Sequence, residues 1–341
     1  MSAYEVLVET TRGGIVESVH HGAVVVVDAE GHVRASIGDP RLVSFPRSSL
    51  KPFQVLALVA RGGVERFGLE SRDLAIASAS HSGEAIHIEA VCGLLEKIGA
   101  SQDALLCGVH PPADEDSAAK LEERGEAPSA VHNNCSGKHA GMLALARLLG
   151  APLDGYIDPT HTAQLVIRET LVDVLKLDAT HLPMGIDGCS APAYGVPLGN
   201  LARGFALLGR PQAVPDPWRH ALKAVGDAMR AHPELVGGSH GRVDTDLMRA
   251  SENTIVAKGG AEGYFGMGHT SGIGVAFKII DGDAAHRARS AVAVGAAQNL
   301  GWLVPDSLAA YGPRLPIRNW AGRETGHVRI TQSLDRLSLN R

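Results

Sequence analysis

Four short stretches of this 341-residue chain combine residue types that do covalent chemistry. The first is Ser48-Ser49-Leu50-Lys51. Residues three apart share a helix face, so at a helix start Lys51 reaches the Ser48 hydroxyl. A serine hydroxyl is a weak nucleophile until a base takes its proton. A buried lysine is such a base when desolvation or a neighbouring cation lowers its pKa. The same spacing also reads as an N-capping serine followed by a solvated lysine, which is the commoner case for a four-residue match.

Two further stretches carry hydroxyls and an ammonium. Ser78-Ala79-Ser80-His81-Ser82-Gly83-Glu84 stands just before a helical pattern. Lys258-Gly259-Gly260 follows the apolar run Thr254 to Ala257, so Lys258 and flexible backbone share a strand end. Penicillin-recognising serine enzymes combine Ser-x-x-Lys, a serine-based middle element and a Lys-Thr-Gly strand in this order. Neither Ser-Asp-Asn nor Lys-Thr-Gly is present here, and the serine cluster also reads as a hydroxyl-rich helix start.

The fourth stretch, His132-Asn133-Asn134-Cys135-Ser136-Gly137-Lys138-His139, crowds reactive groups at a helix N-terminus. A helix N-terminus and a nearby ammonium both lower a thiol pKa. Asp187-Gly188-Cys189-Ser190-Ala191-Pro192 supplies a second thiol in a Gly/Pro loop. Two thiolates with nitrogen donors suit Zn²⁺. No Cys-x-x-Cys or paired-His spacing accompanies them, and a lone cysteine is more often a buried hydrophobe. Cys92, inside an amphipathic helix, and Cys107, after Leu105-Leu106, read as packing residues.

The elements that must position these groups are strands at both chain ends and helices between. Glu5 to Glu9, Ile15 to His20, Ala23 to Asp28 and His32 to Ile37 read as antiparallel strands joined by Gly-containing turns. Periodicity predicts helices from Ser48 or Ser49 to Gly62, from Glu84 to Ile98, and from Ser136 to Leu149. A further helix capped by Asp158-Pro159 runs to Leu175, and Pro217 to Ala231, Val243 to Ala250 and Ala284 to Leu300 follow. Pro111 to Ser129 is polar and charged and is expected to be a surface loop or lid. Thr254 to Ala257, Gly263 to Met267 and Gly274 to Ile280 return to β. The plan is mixed α/β (α+β), with an antiparallel sheet drawn from both ends. The absence of a polar linker favours one domain over 1–341, with a helical subregion around 84–250.

Taken together and in this order, the motifs resemble the rhizobial-type L-asparaginase II family. They are Phe45-Pro46-Arg47-Ser48-Ser49-Leu50-Lys51-Pro52, Ala79 to Glu84, His132 to His139, Asp187-Gly188-Cys189 and Lys258 to Gly263. The resemblance implies a fold similar to serine β-lactamases and glutaminases, and hydrolysis of L-asparagine to aspartate and ammonia. It implies that Ser48 is the nucleophile, Lys51 its base, and Ser80 with Lys258 a second Ser–Lys pair. It implies Zn²⁺ held by Cys135, Lys138 and Cys189, with Asp187 and His139 orienting those ligands. Arg47, Glu84, His132 and Asn133 are expected to bind substrate; charge and adjacency also suggest that Arg47 keeps Lys51 neutral. A homodimer is implied as well. The readings that compete are a glutaminase or β-lactam-type serine amidohydrolase, and a zinc-thiolate protein that binds amino acids or senses redox state.

Composition narrows the field. Basic side chains number 32 and acidic ones 37, for a formal charge of −5, and aromatics are 4%. That argues against a phosphate-tracking, base-stacking surface, so no nucleic-acid partner is expected. No apolar run approaches the ~20 residues of a membrane span. Met1 to Glu9 lacks a basic region followed by an apolar stretch, so no signal peptide is expected. Four cysteines form no disulfide framework, and a cytoplasmic protein with reduced thiols is the expectation.

Overall fold

The computed structural model describes residues 2–339 and is mixed α/β. The chain divides into two compact units. One comprises Met1–Ser49, Val196–Arg210 and Asp246–Arg341; the other comprises Leu50–Gly195 and Pro211–Thr245.

The first unit is built on an eight-stranded antiparallel sheet. Its strands are β1 (Glu5–Arg12), β2 (Ile15–Asp28), β3 (Val33–Ile37), β4 (Ile255–Gly259), β5 (Tyr264–His269), β6 (Ile273–Ile279), β7 (Arg314–Arg318) and β8 (Glu324–Ile330). The order is β7-β8-β1-β2-β6-β5-β4, with β3 also paired to β2. Strands from both chain ends therefore share one sheet. β2 is a single 14-residue strand rather than the two short ones expected, because it runs unbroken through Gly22, paired there to Ile279. Its Val24–Val27 run is fully buried, between β6 in register Val25↔Ala276 and β3 in register Val25↔Ser36.

The helix Leu198–Gly209 lies on this sheet at backbone contact. A Cβ on Gly268 would stand 1.8 Å from the Phe205 carbonyl oxygen, and one on Gly266 2.0 Å from the Phe205 ring. The ring can turn away and the carbonyl cannot. Gly268→Ala should therefore cost about 3 kcal/mol by urea melting, and Gly266→Ala clearly less. Equal costs would mean that close backbone approach is not what these glycines supply.

The β7–β8 hairpin was not expected. Pro316 interrupts the pattern of β7, and proline is tolerated there because β7 is an edge strand.

The second unit is helical. Lys51–Val59, buried over all nine residues, runs between Ser136–Leu148, Thr162–Leu175 and Trp218–Ala231. A helix buried all round reads as continuous apolar sequence, which explains its lack of a polar face. Thr162–Leu175 is capped by His161, whose Nδ1 accepts from Ala163 N at 3.1 Å, not by Asp158-Pro159. The segment expected as a loop holds the helix Glu115–Glu123. Asp114 caps it at Ser117 N (2.8 Å), acidic residues fill its first turn, and only Leu121 is buried. Those cap signals are present in the sequence and were outweighed by its charge. Among the described residues no helix is long and apolar enough to cross a membrane.

Candidate active site

In the helical unit, five motif residues meet. Lys51 is the first residue of its buried helix and is 1% exposed. Its Nζ donates to Ala79 O (2.6 Å), Ser80 Oγ (2.7 Å) and Asn134 O (3.4 Å), and it hydrogen-bonds Cys135. Burial drives the Lys51 ammonium toward neutrality; Cys135 partly opposes this and the charge of Lys138 adds to it. The cation that presses on Lys51 within this unit is thus Lys138.

Cys135, Lys138 and Cys189 form the other half of the cluster. Lys138 Nζ donates to Cys189 Sγ at 2.9 Å, and the two thiols hydrogen-bond each other. That shared proton lets one thiol ionise and not both. Cys135 is held well below the usual thiol range by its bond to Cys189, helped by Lys51 and Lys138. Cys189 is pushed up by the same bond and by burial. Burial works against the charge of Lys138, but Cys135, Cys189 and Asp187 outweigh it and hold its pKa above the lysine range.

The loop that presents Cys135 is braced from within. Asn133 Nδ2 donates to Cys107 O (2.9 Å) and Gly108 O (3.2 Å), and its Oδ1 accepts from Cys135 N (2.8 Å). The Asn133 carboxamide is thus committed to shaping the turn. His132 Nδ1 turns to Ser129, and Glu84 Oε1 accepts from Ser239 N at 2.8 Å. His139 is fully buried; its Nδ1 bonds Tyr156 Oη at 2.6 Å, while Nε2 has no hydrogen-bond partner among the described residues. Burial keeps that ring neutral. His81, also buried, bonds Ser136 Oγ at 2.8 Å through Nε2. Neither Tyr156 nor the His81 contact was anticipated, although His81 stands inside the serine motif.

The donor set fits a soft divalent ion. The two thiols and the amine are all buried, Lys138 is bonded to Cys189, and Asp187 acts on Lys138. Among the described residues no group of three or more His, Cys, Asp or Glu side chains is disposed to hold a metal, so the third ligand would have to be Lys138.

In the sheet unit, Ser48 is half-buried in the 3-10 turn Arg47–Leu50. Arg47 has φ 53°, a left-handed conformation that is costly for a side-chain-bearing residue. Ser49, not singled out by its type, is fully buried and donates from Oγ to Lys258 O at 2.9 Å. A Cβ on Gly260 would stand 2.3 Å from Pro46 O, so the glycine lets the end of β4 close on this turn. Lys258 is buried, with Nζ donating to Gly259 O at 3.0 Å.

The sequence matches the L-asparaginase II family over residues 8–330, nearly its whole length. The chain belongs to that family. Membership makes this asparaginase II-type chain an amidohydrolase acting on a small-molecule substrate. No curated protein matches it significantly. Among solved structures it is similar to a Bacteroides dorei DSM 17855 protein given a provisional beta-lactamase assignment. That pair shares 14% identity and a TM-score of 0.42 over 76% of this chain and 84% of the other. It is also similar to a protein described as Mglu, at 16% identity and a TM-score of 0.36 over 84% of this chain and 68% of the other. Likeness at these scores carries no argument about chemistry.

Proposed function

We propose that this asparaginase II-type chain hydrolyses L-asparagine to L-aspartate and ammonia through an acyl-enzyme on Ser48. The observation that carries this reading is Lys51: a fully buried amine, disposed to be neutral, three residues along the chain from Ser48 and held by the Ser80 hydroxyl, in a family of amide hydrolases. Ser48 Oγ attacks the side-chain amide carbon, and its proton passes to the Lys51 amine. The C–N bond then breaks and the departing nitrogen takes that proton, so ammonia leaves neutral. Water next adds to the ester carbon, gives a proton back through the same amine, and aspartate is released with Ser48 restored.

Ser80 keeps Lys51 oriented. Two Lys51 protons can point at Ala79 O and Ser80 Oγ, which leaves the lone pair of the neutral amine free to take the Ser48 proton. Lys258 supplies a second ammonium for the reaction, and Arg47 a cation for the substrate carboxylate. Cys135, Lys138 and Cys189 would hold Zn²⁺, with Asp187 and His139 keeping them in place; bound there, the ion would anchor the polar end of the amino acid. The reading has the protein acting as a homodimer in the cytoplasm, where these thiols stay reduced.

The test is ammonia release from a panel of amides. Asparagine should be turned over fastest. Preference for glutamine or a β-lactam would replace the substrate assignment, and amino-acid binding without ammonia release would favour a sensor. The metal reading has its own measurement. Lys138 and Cys189 hold their protons in the metal-free protein, so loading zinc must displace them. Zinc titration in weakly buffered solution should release about two protons per site, and affinity should rise with pH. Cys135→Ser and Cys189→Ser should both abolish that release; unchanged release would remove these thiols from the site.

A further inference from the structure

The loop that carries Ser80 is held from outside by a segment that no motif marks. Ser80 N donates to Val236 O at 3.0 Å. Ser80 O accepts from Arg242 Nη1 at 3.0 Å. The same nitrogen reaches Gly237 O at 2.9 Å and Ser82 Oγ at 3.3 Å. Ser82 Oγ in turn donates to Gly237 O at 3.0 Å. Both sides of the Ser80 residue are therefore fixed by residues 236–242. The segment lies close enough that a Cβ on Gly238 would be 2.3 Å from Ser82 Oγ.

The Ser80 side chain follows the main chain that is held in this way. Its Oγ is engaged by Lys51, and its short side chain places that oxygen wherever the main chain puts it. A carbonyl held by a guanidinium makes a charge-assisted bond, stronger than a neutral one. Arg242 is anchored in its turn by Asp244, which is 2% exposed and lies 3.6 Å from Nη2. The two protons of Arg242 Nη1 serve two main-chain oxygens, with a longer shared contact to Ser82, a side chain that the proposed reaction does not use. One of those oxygens belongs to Ser80, so the guanidinium reaches the main chain of a residue whose side chain the reaction does use.

We propose that Arg242 is a positioning residue for the amide hydrolysis, acting through the main chain of Ser80 and so on the Ser80–Lys51 hydrogen bond. This rests on the reading above that Ser80 takes part in the reaction. A group that sets the geometry of a reacting pair governs the chemical step, since displacements of about 1 Å cost roughly a hundredfold. A group that only braces the fold lowers stability and leaves kcat alone. A group that touches substrate raises KM.

The experiment compares Arg242→Ala, Arg242→Lys, Ser80→Ala and the double variant Ser80→Ala/Arg242→Ala, on the best amide of the panel, with thermal midpoints recorded alongside. Arg242→Ala should lower kcat about 10- to 100-fold with KM changed by less than about threefold. Arg242→Lys should recover part of that loss, because one ammonium can serve Ser80 O but not hold the whole fork. Should the alanine variant not fold, the lysine variant carries the test, with a kcat below wild type at unchanged KM. The double variant should be no slower than Ser80→Ala alone. Multiplied losses, a rise in KM alone, or a lowered midpoint with wild-type kcat would each overturn the proposal. Wild-type hydrolysis by Ser80→Ala would instead overturn the reading of Ser80 itself, and this proposal with it.

Discussion

Ser48→Ala should lower ammonia release from asparagine by roughly 10⁴-fold or more, while the protein melts within a few degrees of wild type. The chemistry sets the size. Without an acyl-enzyme, hydrolysis depends on water attacking an amide with only positioning and electrostatics to help, which leaves the residual rate of a nucleophile knockout. The small stability change follows from the surroundings, because Ser48 is half-buried in a turn and not packed in a core. Ser49→Ala is the matched control. It removes a buried bond to Lys258 O, so it should cost about 1–3 kcal/mol of stability while retaining far more activity than Ser48→Ala. If the two variants exchange behaviour, the nucleophile is Ser49. If Ser48→Ala keeps a tenth of wild-type activity, the nucleophile lies elsewhere, and Ser80 is the next hydroxyl to test.

Lys51→Met should lower kcat by about 10²- to 10⁴-fold, the usual contribution of a positioned base. Methionine fills much the same buried space, and its thioether is not a base. Lys51→Arg should be no better, since arginine keeps the charge and cannot give up its proton. The pH dependence has a definite sign. The reacting form of Lys51 is the neutral amine, and its fraction grows as pH rises. Burial lowers the Lys51 pKa, so the rise in kcat should come at lower pH than for a free lysine, near 10.4. A profile with a single rising limb that levels off below that value, and that is lost in Lys51→Met, is the expected result. A rate that falls with rising pH, or a limb unchanged in Lys51→Met, would show that another group is the base.

Much of the fold was legible because its pattern is strong. Val24–Val27 and the run around Ile273–Ile279, where Lys278 is the one charged side chain, belong to the centre of a sheet. Ala85–Lys97 and Ser136–Leu148 announce themselves by periodicity. The Glu115–Glu123 helix and the β7–β8 hairpin were missed for opposite reasons. Charge hid the first, although Asp114 and Gly125 mark its ends; proline hid the second, although an edge strand tolerates it.

At the site, the motif residues Lys51, Ser80, Cys135, Lys138 and Cys189 were legible by type, and they do assemble. What spacing did not convey is which neighbours they take. Lys51 was read against Ser48, three residues away, while its hydroxyl partner in the helical unit is Ser80. Asn133 and Glu84 look like substrate ligands in sequence, yet their side chains hold backbone. Arg242 left no trace at all. It acts on a carbonyl 162 positions away, and every residue has a carbonyl.

The splicing of one sheet from both chain ends has a consequence during synthesis. β1, β2 and β3 leave the ribosome first, but β6, which pairs along Ala23–Asp28 of β2, follows only after the whole helical unit has been made. The last pairing, β8 on β1, sets Val8 against Ile330, 322 positions apart. The valine-rich edge of β2 must therefore wait, unpaired, through most of translation. Contacts so remote in sequence form slowly, and an exposed apolar strand is prone to pair with another chain meanwhile. The yield of soluble protein should depend on how fast the chain is made and at what temperature, more than on the stability of the finished molecule.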